Sequence, residues 1–473
     1  MNPLLSNNRN VQEISRLLYE PLLTLGENYE LQPNLAKEWS KTGDTSYILK
    51  LRDDVKWQDG SKVTANDVQF TIDRLKDTPS IYSYQVIHVI GVDVIDEYTI
   101  RINLDTVVPF FEYNLIFPIL SKNNYLNQDF TNAELNKMPW SNSMYKIVSN
   151  EGSTITLKKN ENYWNKAQKD AKIETIIINL YSSMGEAYNS FKLGNVDIIS
   201  TQNLNVEEYI GTMGYQKKEY KGREFDFIAM NCTDSLLSRS EVRKAVSYAI
   251  DKSGVMSSVY GGKYYMAEFP LDYGNWSYTS NNSSIGYNPD QAKQVLMDQG
   301  WQYKYGTWQK VENYRTIRLN LEMVVNSENA SQVAASEIIK SNLENIGIKL
   351  KLVKVNAKQY NNYLTNKNYM MILTGINIGM SPDLSTYLGD NNLANYHTQE
   401  VTTLMSELNN ITNNNEAVKE KITQLAEIYI NEIPYISLYF NKNTVLYSNN
   451  LMGEIKPNNY SLFYGIENWY RHN

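Results

Sequence analysis

Few side chains in this 473-residue chain could do covalent or metal chemistry: one cysteine, Cys232, and three histidines, His88, His397 and His472. A thiol nucleophile needs a base beside it, and His397 could serve Cys232 only if folding joined them. Cys232 follows Met230-Asn231 at a strand end and reads as a buried, inert thiol. The histidines lack Cys or carboxylate partners at ligand spacing, and no HExxH, CxxC or carboxylate-rich loop occurs, so neither a catalytic nor a structural metal is expected. Gly261-Gly262 lacks the Lys-Ser/Thr of a phosphate loop and reads as a helix stop. The paired acids Asp53-Asp54 and Glu207-Glu208 fall in turns or on solvated faces. The expectation is a protein that is not an enzyme and holds no cofactor. What stands out is tyrosine, 37 against 11 Phe and 8 Trp. Together with abundant Asn this matches an AT-rich coding bias, yet an aromatic body with a hydroxyl tip also suits a cleft that is apolar and wet by turns.

The elements that must position such a cleft can be read in order. Ile48, Leu49 and Leu51 lead a strand into the charged turn Arg52-Asp53-Asp54, and Val55-Lys56-Trp57 starts a second strand that stops at Asp59-Gly60. Thr64 is placed as an N-cap, with Asp67 reaching back and Val68, Ile72 and Leu75 on one helical face. Val92 to Leu104 reads as two strands around Asp96-Glu97. An α/β pattern follows: apolar Ile176 to Ile178, a helix from Gly185 to Leu193 stopped by Gly194, and Val196 to Ile199. Beyond a strand over Phe225 to Met230 come a helix from Ser240 to Ile250 and another opened by Asn288-Pro289-Asp290. A last helix through Val333, Ile339, Leu343 and Ile346 ends at Gly347, ahead of the strand Ile348 to Leu352. The length predicts two or three domains, and the absence of repeats or Pro-rich tethers predicts that crossing strands join them. Hydrophobic content of 42% and charged content of 21% fit a globular chain, and a net charge of −7 argues against a nucleic-acid partner. No apolar run reaches the roughly 20 residues of a membrane span.

Read together, YEPLLTLGENYELQPNLAKEWS from Tyr19, the Tyr47 to Leu75 unit, NENYW at Asn160 to Trp164, VRKAVSYAID from Val242, YNPDQAKQVLMDQGW from Tyr287 and the Gly347-Ile348 join resemble, in order, the extracytoplasmic oligopeptide- and dipeptide-binding receptors of ABC importers, family 5 solute-binding proteins. The resemblance implies an α/β, bilobal periplasmic-binding-protein-like fold of the large three-domain type II form, with mixed sheets and a hinge between lobes. It places domain I in 1–19, 146–228 and 443–473, a β-rich domain II in 20–145, and α/β domain III in 229–442. It implies a monomer that hands a peptide or peptide-like ligand to a permease and ATPase complex, as a cell-surface lipoprotein in a Gram-positive host or a periplasmic protein in a Gram-negative one. The chain opens at Met1-Asn2-Pro3-Leu4 without an export signal, so that signal and a first strand are expected to precede it.

Site residues follow by position within the resemblance. The family's ammonium-pairing Asp lies in a "W..D…P" segment, here Thr374 to Asp383. One register turns the Trp into Ile376 and the Asp into Gly379, and the other puts Met380 at the Asp. Neither keeps an acid. Either the ligand has no free amino terminus there, or another acid anchors it, with Asp383, Glu224 and Asp226 as candidates. Asn377 shares this segment. Asn7, Asn8 and Arg9 match a loop that contacts ligand backbone, Arg9 offering planar donors for a carboxylate. Tyr82 and Tyr84 match an aromatic segment near the ligand, Arg223 and Phe225 an interlobe strand, and Trp276 a loop that faces the cleft. The family's "GTGPY" is Ser141 to Tyr145 here, with Asn142 expected to supply a positive φ. Non-peptide cargo (a sugar oligomer, an opine-like compound or a chelated metal) and a sensory or chaperone peptide binder are the alternatives.

Overall fold

Thr64 and Asp67 form the expected capping box, with Asp67 Oδ2 accepting from the Thr64 backbone N–H at 2.9 Å, and open the helix Ala65–Asp77. In the computed structural model, which describes every residue except Ala133, 281–284 and Asn473, this helix belongs to the first of two units. That unit comprises Met1–Tyr220 with Asn443–Asn473, and the second comprises Lys221–Lys442. The chain passes between them inside two long strands, Tyr215–Met230 and Tyr435–Ser448.

In the first unit, Ala36–Gly43, Ser46–Leu51, Thr99–Leu104 and Val89–Asp96 form an antiparallel sheet in that order. Tyr47 and Leu49 face inward opposite Ile102 and Ile100, Leu51 and Leu104 continue the two buried rows, and Val68, Ile72 and Leu75 of the capped helix join the same core. A second sheet, Tyr145–Glu151, Thr154–Lys159 and Thr175–Asn179, and the helix Arg9–Leu18 complete that core. The segment expected as a strand over Val55 to Trp57 does pair, Trp57 N donating to Ser61 O at 2.9 Å and Val63 N to Val55 O at 3.1 Å, but it is too short to form a strand. Only an isolated bridge, Lys56 to Lys62, forms there, because Gly60 at φ +90° folds the chain back and its N–H returns to Trp57 O at 3.0 Å.

Asn142 also departs from expectation, since it is absent from the residues with positive φ. Its side chain holds the segment in place of a left-handed turn: Oδ1 accepts from Glu20 N at 2.9 Å, while its own N–H donates to Leu18 O at 3.1 Å.

In the second unit the sheet order is Tyr435–Ser448, Tyr215–Met230, Met371–Asn377, Asn320–Asn326, Lys349–Val355. The last two strands are parallel and joined through the helix Ala330–Asn345, whose length the crossover requires. Strand Tyr215–Met230 runs antiparallel to Met371–Asn377, pairing Glu224 with Asn377, Phe225 with Ile376 and Asp226 with Gly375.

Candidate functional site

Alternation along Tyr215–Met230 sorts its side chains into two chemistries. Phe225 and Phe227 are fully buried, with ring centroids 5.1 Å apart, and Tyr387 meets each edge-on. Phe440 lies 5.1 Å from Phe225, so the ring named from sequence as a ligand contact is enclosed in core. The intervening positions, Glu224 and Asp226, share the opposite face.

Asp226 sits in a cage of tyrosines. Tyr260 O–H donates to Asp226 Oδ2 at 3.4 Å, and the Tyr260 ring stacks on Tyr264 with centroids 4.2 Å apart and planes 12° from parallel. Tyr439 meets Tyr260 edge-on at 5.5 Å, and Gln332 also bonds to the carboxylate. Gly261 and Gly262, both with positive φ, end the helix Lys252–Tyr260 and turn the chain so that Tyr264 returns over Tyr260. Gly375 is dictated by close approach: a Cβ there would lie 2.0 Å from Asp226 Oδ1. Burial, then the charge of exposed Glu224, push the Asp226 carboxyl up to about 7. Among the described residues no Lys or Arg pairs with it. A carboxylate that receives only a tyrosine hydroxyl and an amide and lacks a cation is complementary to an ammonium or guanidinium group.

The Thr374 to Asp383 segment is organised by its backbone. Arg223 donates to Ile378 O, and Ile378 N returns a bond to Arg223 O at 3.0 Å. Tyr273 O–H donates to Gly379 O at 3.1 Å and Asn275 Nδ2 donates to Met380 O at 3.0 Å, tying the half-buried Trp276 loop to this segment. Gly379 has no left-handed φ, and a Cβ would meet nothing nearer than Ser381 Oγ at 3.6 Å, so the fold would accept an acid there. Asp383 closes a local turn just ahead of the short helix Ser385–Leu388, its Oδ1 accepting from Ser385 N at 2.8 Å and from Ser385 Oγ at 2.6 Å. Ile376 is half-buried and Asn377 exposed. Sequence reading named Asp226 but missed Tyr260, Tyr264, Tyr439, Gln332 and Gly375. The signal for two of them was the double glycine itself, with Tyr260 just before it and Tyr264 two residues after it.

The remaining named residues lie in the first unit. Asn7, Asn8 and Arg9 are exposed, with Asn8 Oδ1 capping the helix Arg9–Leu18 through Asn10 N at 2.8 Å. Tyr82 is 6% exposed, while Tyr84 is 66% exposed. His88 pairs with Asp105 at 3.0 Å on the surface. Burial pushes the Cys232 thiol up to about 11, which keeps it a poor nucleophile. No group of three or more metal-ligating side chains occurs among the described residues, and no helix there is long and apolar enough to cross a membrane.

Comparison with known proteins gives these findings. The model for bacterial extracellular solute-binding proteins, family 5 Middle, matches residues 30–395. Heme-binding protein A of Haemophilus influenzae is 24% identical, the match covering 92% of this chain and 84% of that protein. The oligopeptide-binding protein OppA of Bacillus subtilis is also 24% identical, over 97% of this chain and 88% of its own. The structure of HbpA2 from Haemophilus parasuis superposes with a TM-score of 0.82 at 20% identity, covering all of this chain and 97% of the other, which demonstrates a shared fold.

Proposed function

We propose, given that this chain belongs to the bacterial extracellular solute-binding proteins of family 5, that it is the receptor of an ABC importer, capturing peptides or peptide-like solutes outside the cytoplasm for a membrane permease and its ATPase. The cargo carries a cationic group, an amino terminus or a basic side chain, that Asp226 receives with Glu224 beside it. The observation that carries this reading is a carboxylate bonded to Tyr260 and without a cationic partner among the described residues, which this reading takes as the substitute for the acid missing at Gly379 and Met380. Similarity to an oligopeptide-binding protein supports the peptide class. The work done is binding and release, with no covalent step, by a monomer held at the cell surface by lipid or free in a periplasm.

A second reading, a non-peptide cargo, draws on the same missing acid and on a relative that is a heme-binding protein. Mass spectrometry of small molecules released by denaturing the purified protein separates the two: peptides are expected, and a stoichiometric non-peptide compound would move the assignment. The anchor is tested by calorimetry with a lysine-containing tripeptide. Asp226→Asn, or acetylation of both peptide amines, should weaken binding about tenfold or more; an acetylated peptide that binds equally well removes Asp226 from the site.

A further inference from the structure

Between the helix Pro289–Asp298 and the strand Asn320–Asn326 the second unit carries a small meander, Gln302–Lys304, Thr307–Glu312 and Arg315–Arg318, antiparallel in that order. Its register sorts the side chains onto two faces. Tyr303, Trp308, Lys310 and Glu312 share the inner one. There Trp308 Nε1 donates to Ile346 O at 2.7 Å, and the Glu312 carboxylate is gripped by Arg239 through two bonds of 2.7 Å and by Lys310 at 3.0 Å. The meander is thus stapled down, with its only acid turned inward. The outer face presents Gln302, Lys304, Val311, Thr316 and Arg318, all exposed.

Both of its two-residue turns run through left-handed backbone, Tyr305 at φ 52° with Gly306 at 75°, and Asn313 at 49° with Tyr314 at 63°. Such turns favour Asn, Asp and Gly, and a bulky residue in them is an outlier. Each nevertheless holds a tyrosine, Tyr305 96% exposed and Tyr314 wholly so, and neither side chain bonds or stacks with any described residue. The fold draws no contact from either ring.

Charge narrows what could meet them. Residues 302–318 hold four cations, Lys304, Lys310, Arg315 and Arg318, against Glu312, a local charge of +3 in a chain whose other residues total −10. Lys304, Arg315 and Arg318 have no ion-pair partner among the described residues. Charges more than about 8 Å away are screened at physiological salt, so a surface laid on this face feels the cations first. The two tyrosines stand at opposite ends of the strand Thr307–Glu312, about 20 Å apart, too far to share one small ligand. Tyrosine with basic neighbours is a side-chain set that settles at the headgroup level of a bilayer.

We propose that this meander is a docking surface for an anionic phospholipid bilayer, Lys304, Arg315 and Arg318 meeting lipid phosphates while Tyr305 and Tyr314 enter the headgroup layer. The surface is independent of the cargo reading, since no residue of the Asp226 site lies in the meander.

The test is co-sedimentation of the full chain with vesicles of phosphatidylcholine alone and of phosphatidylcholine mixed with phosphatidylglycerol. Only the mixed vesicles should bind, and binding should fall as salt is raised. Lys304→Gln with Arg318→Gln should weaken it about tenfold or more. Tyr305→Asn with Tyr314→Gly gives both turns residues they favour, so thermal stability should hold or rise while vesicle binding falls several-fold. Lys349→Gln with Lys351→Gln, exposed cations elsewhere in the second unit, makes the same change in net charge and should leave binding unchanged. No binding to the mixed vesicles, or equal binding to phosphatidylcholine alone, would overturn the proposal. So would an equal loss in the Lys349 and Lys351 pair. A loss in the Lys304 and Arg318 pair with none in the tyrosine pair would assign the face to a soluble polyanion and overturn it too.

Discussion

Asp226 in the second unit and Arg16 in the first pose the same physical problem with opposite sign. Each is a charge drawn out of water, set against tyrosine rings and left without an ion-pair partner among the described residues. Their escape routes differ. A carboxyl can take up a proton, and Asp226 does so with a pKa of about 7. A guanidinium stays charged at every relevant pH, so Arg16 relies on the quadrupole of Tyr460. The state of one region is therefore written in pH dependence, and that of the other in a ring contact.

The largest expected effect follows from this difference. Because the folded pKa of Asp226 is raised above the ordinary aspartate value of 3.8, the folded state binds the extra proton between about pH 4 and pH 7. Unliganded stability should thus fall as pH rises through that window and level off above about 7. Between pH 5 and pH 8 the contribution is of order 2–3 kcal/mol, at roughly 1.4 kcal/mol per pKa unit. Thermal or urea melts of wild type against Asp226→Asn read it by difference, which cancels the other raised carboxyls. A slope that survives Asp226→Asn would break the comparison. A cationic ligand should reverse the trend, since it favours the ionised carboxyl and binds more tightly as pH rises through 7.

Next in size is Gly375→Ala. The new Cβ would overlap Asp226 Oδ1, so the carboxylate must swing away from Tyr260, at a stability cost of about 1–2 kcal/mol. Calorimetry with the lysine-containing tripeptide should show a loss of cation affinity approaching that of Asp226→Asn. An unchanged affinity would mean that the cage does not position the acid.

What the sequence disclosed has a physical pattern. Local rules were legible: the Thr64 capping box, the strand pair around Asp96-Glu97 and the helix ended by Gly261 all depend on neighbours in sequence. Val55 to Trp57 reads as a strand and pairs only as a bridge, because the turn closed by Gly60 returns the chain at once to Ser61 to Val63. Phe225 was named for the ligand and lies buried among rings, since the two faces of a strand look alike until its partners are known. Asp226 was named only as one acid among three. Its distinction depends on Tyr260, Tyr264, Tyr439 and Gly375, which only folding gathers. Arg16 was not singled out at all, because an unpaired guanidinium is a relation among distant residues, from Tyr82 to Tyr460.

The smallest effect sharpens the contrast from the side of stability. Thr64→Ala removes the hydroxyl of the capping box but leaves the Thr64 backbone N–H on Asp67 Oδ2, and Asp67 Oδ1 keeps its 2.8 Å bond from Lys122 N. The cost should be about 0.5–1 kcal/mol in a denaturant melt. The capped helix packs into the core cluster that also holds Leu17, Leu18 and Tyr82. A cost well above about 2 kcal/mol would show that the Thr64 hydroxyl holds more than the start of this helix.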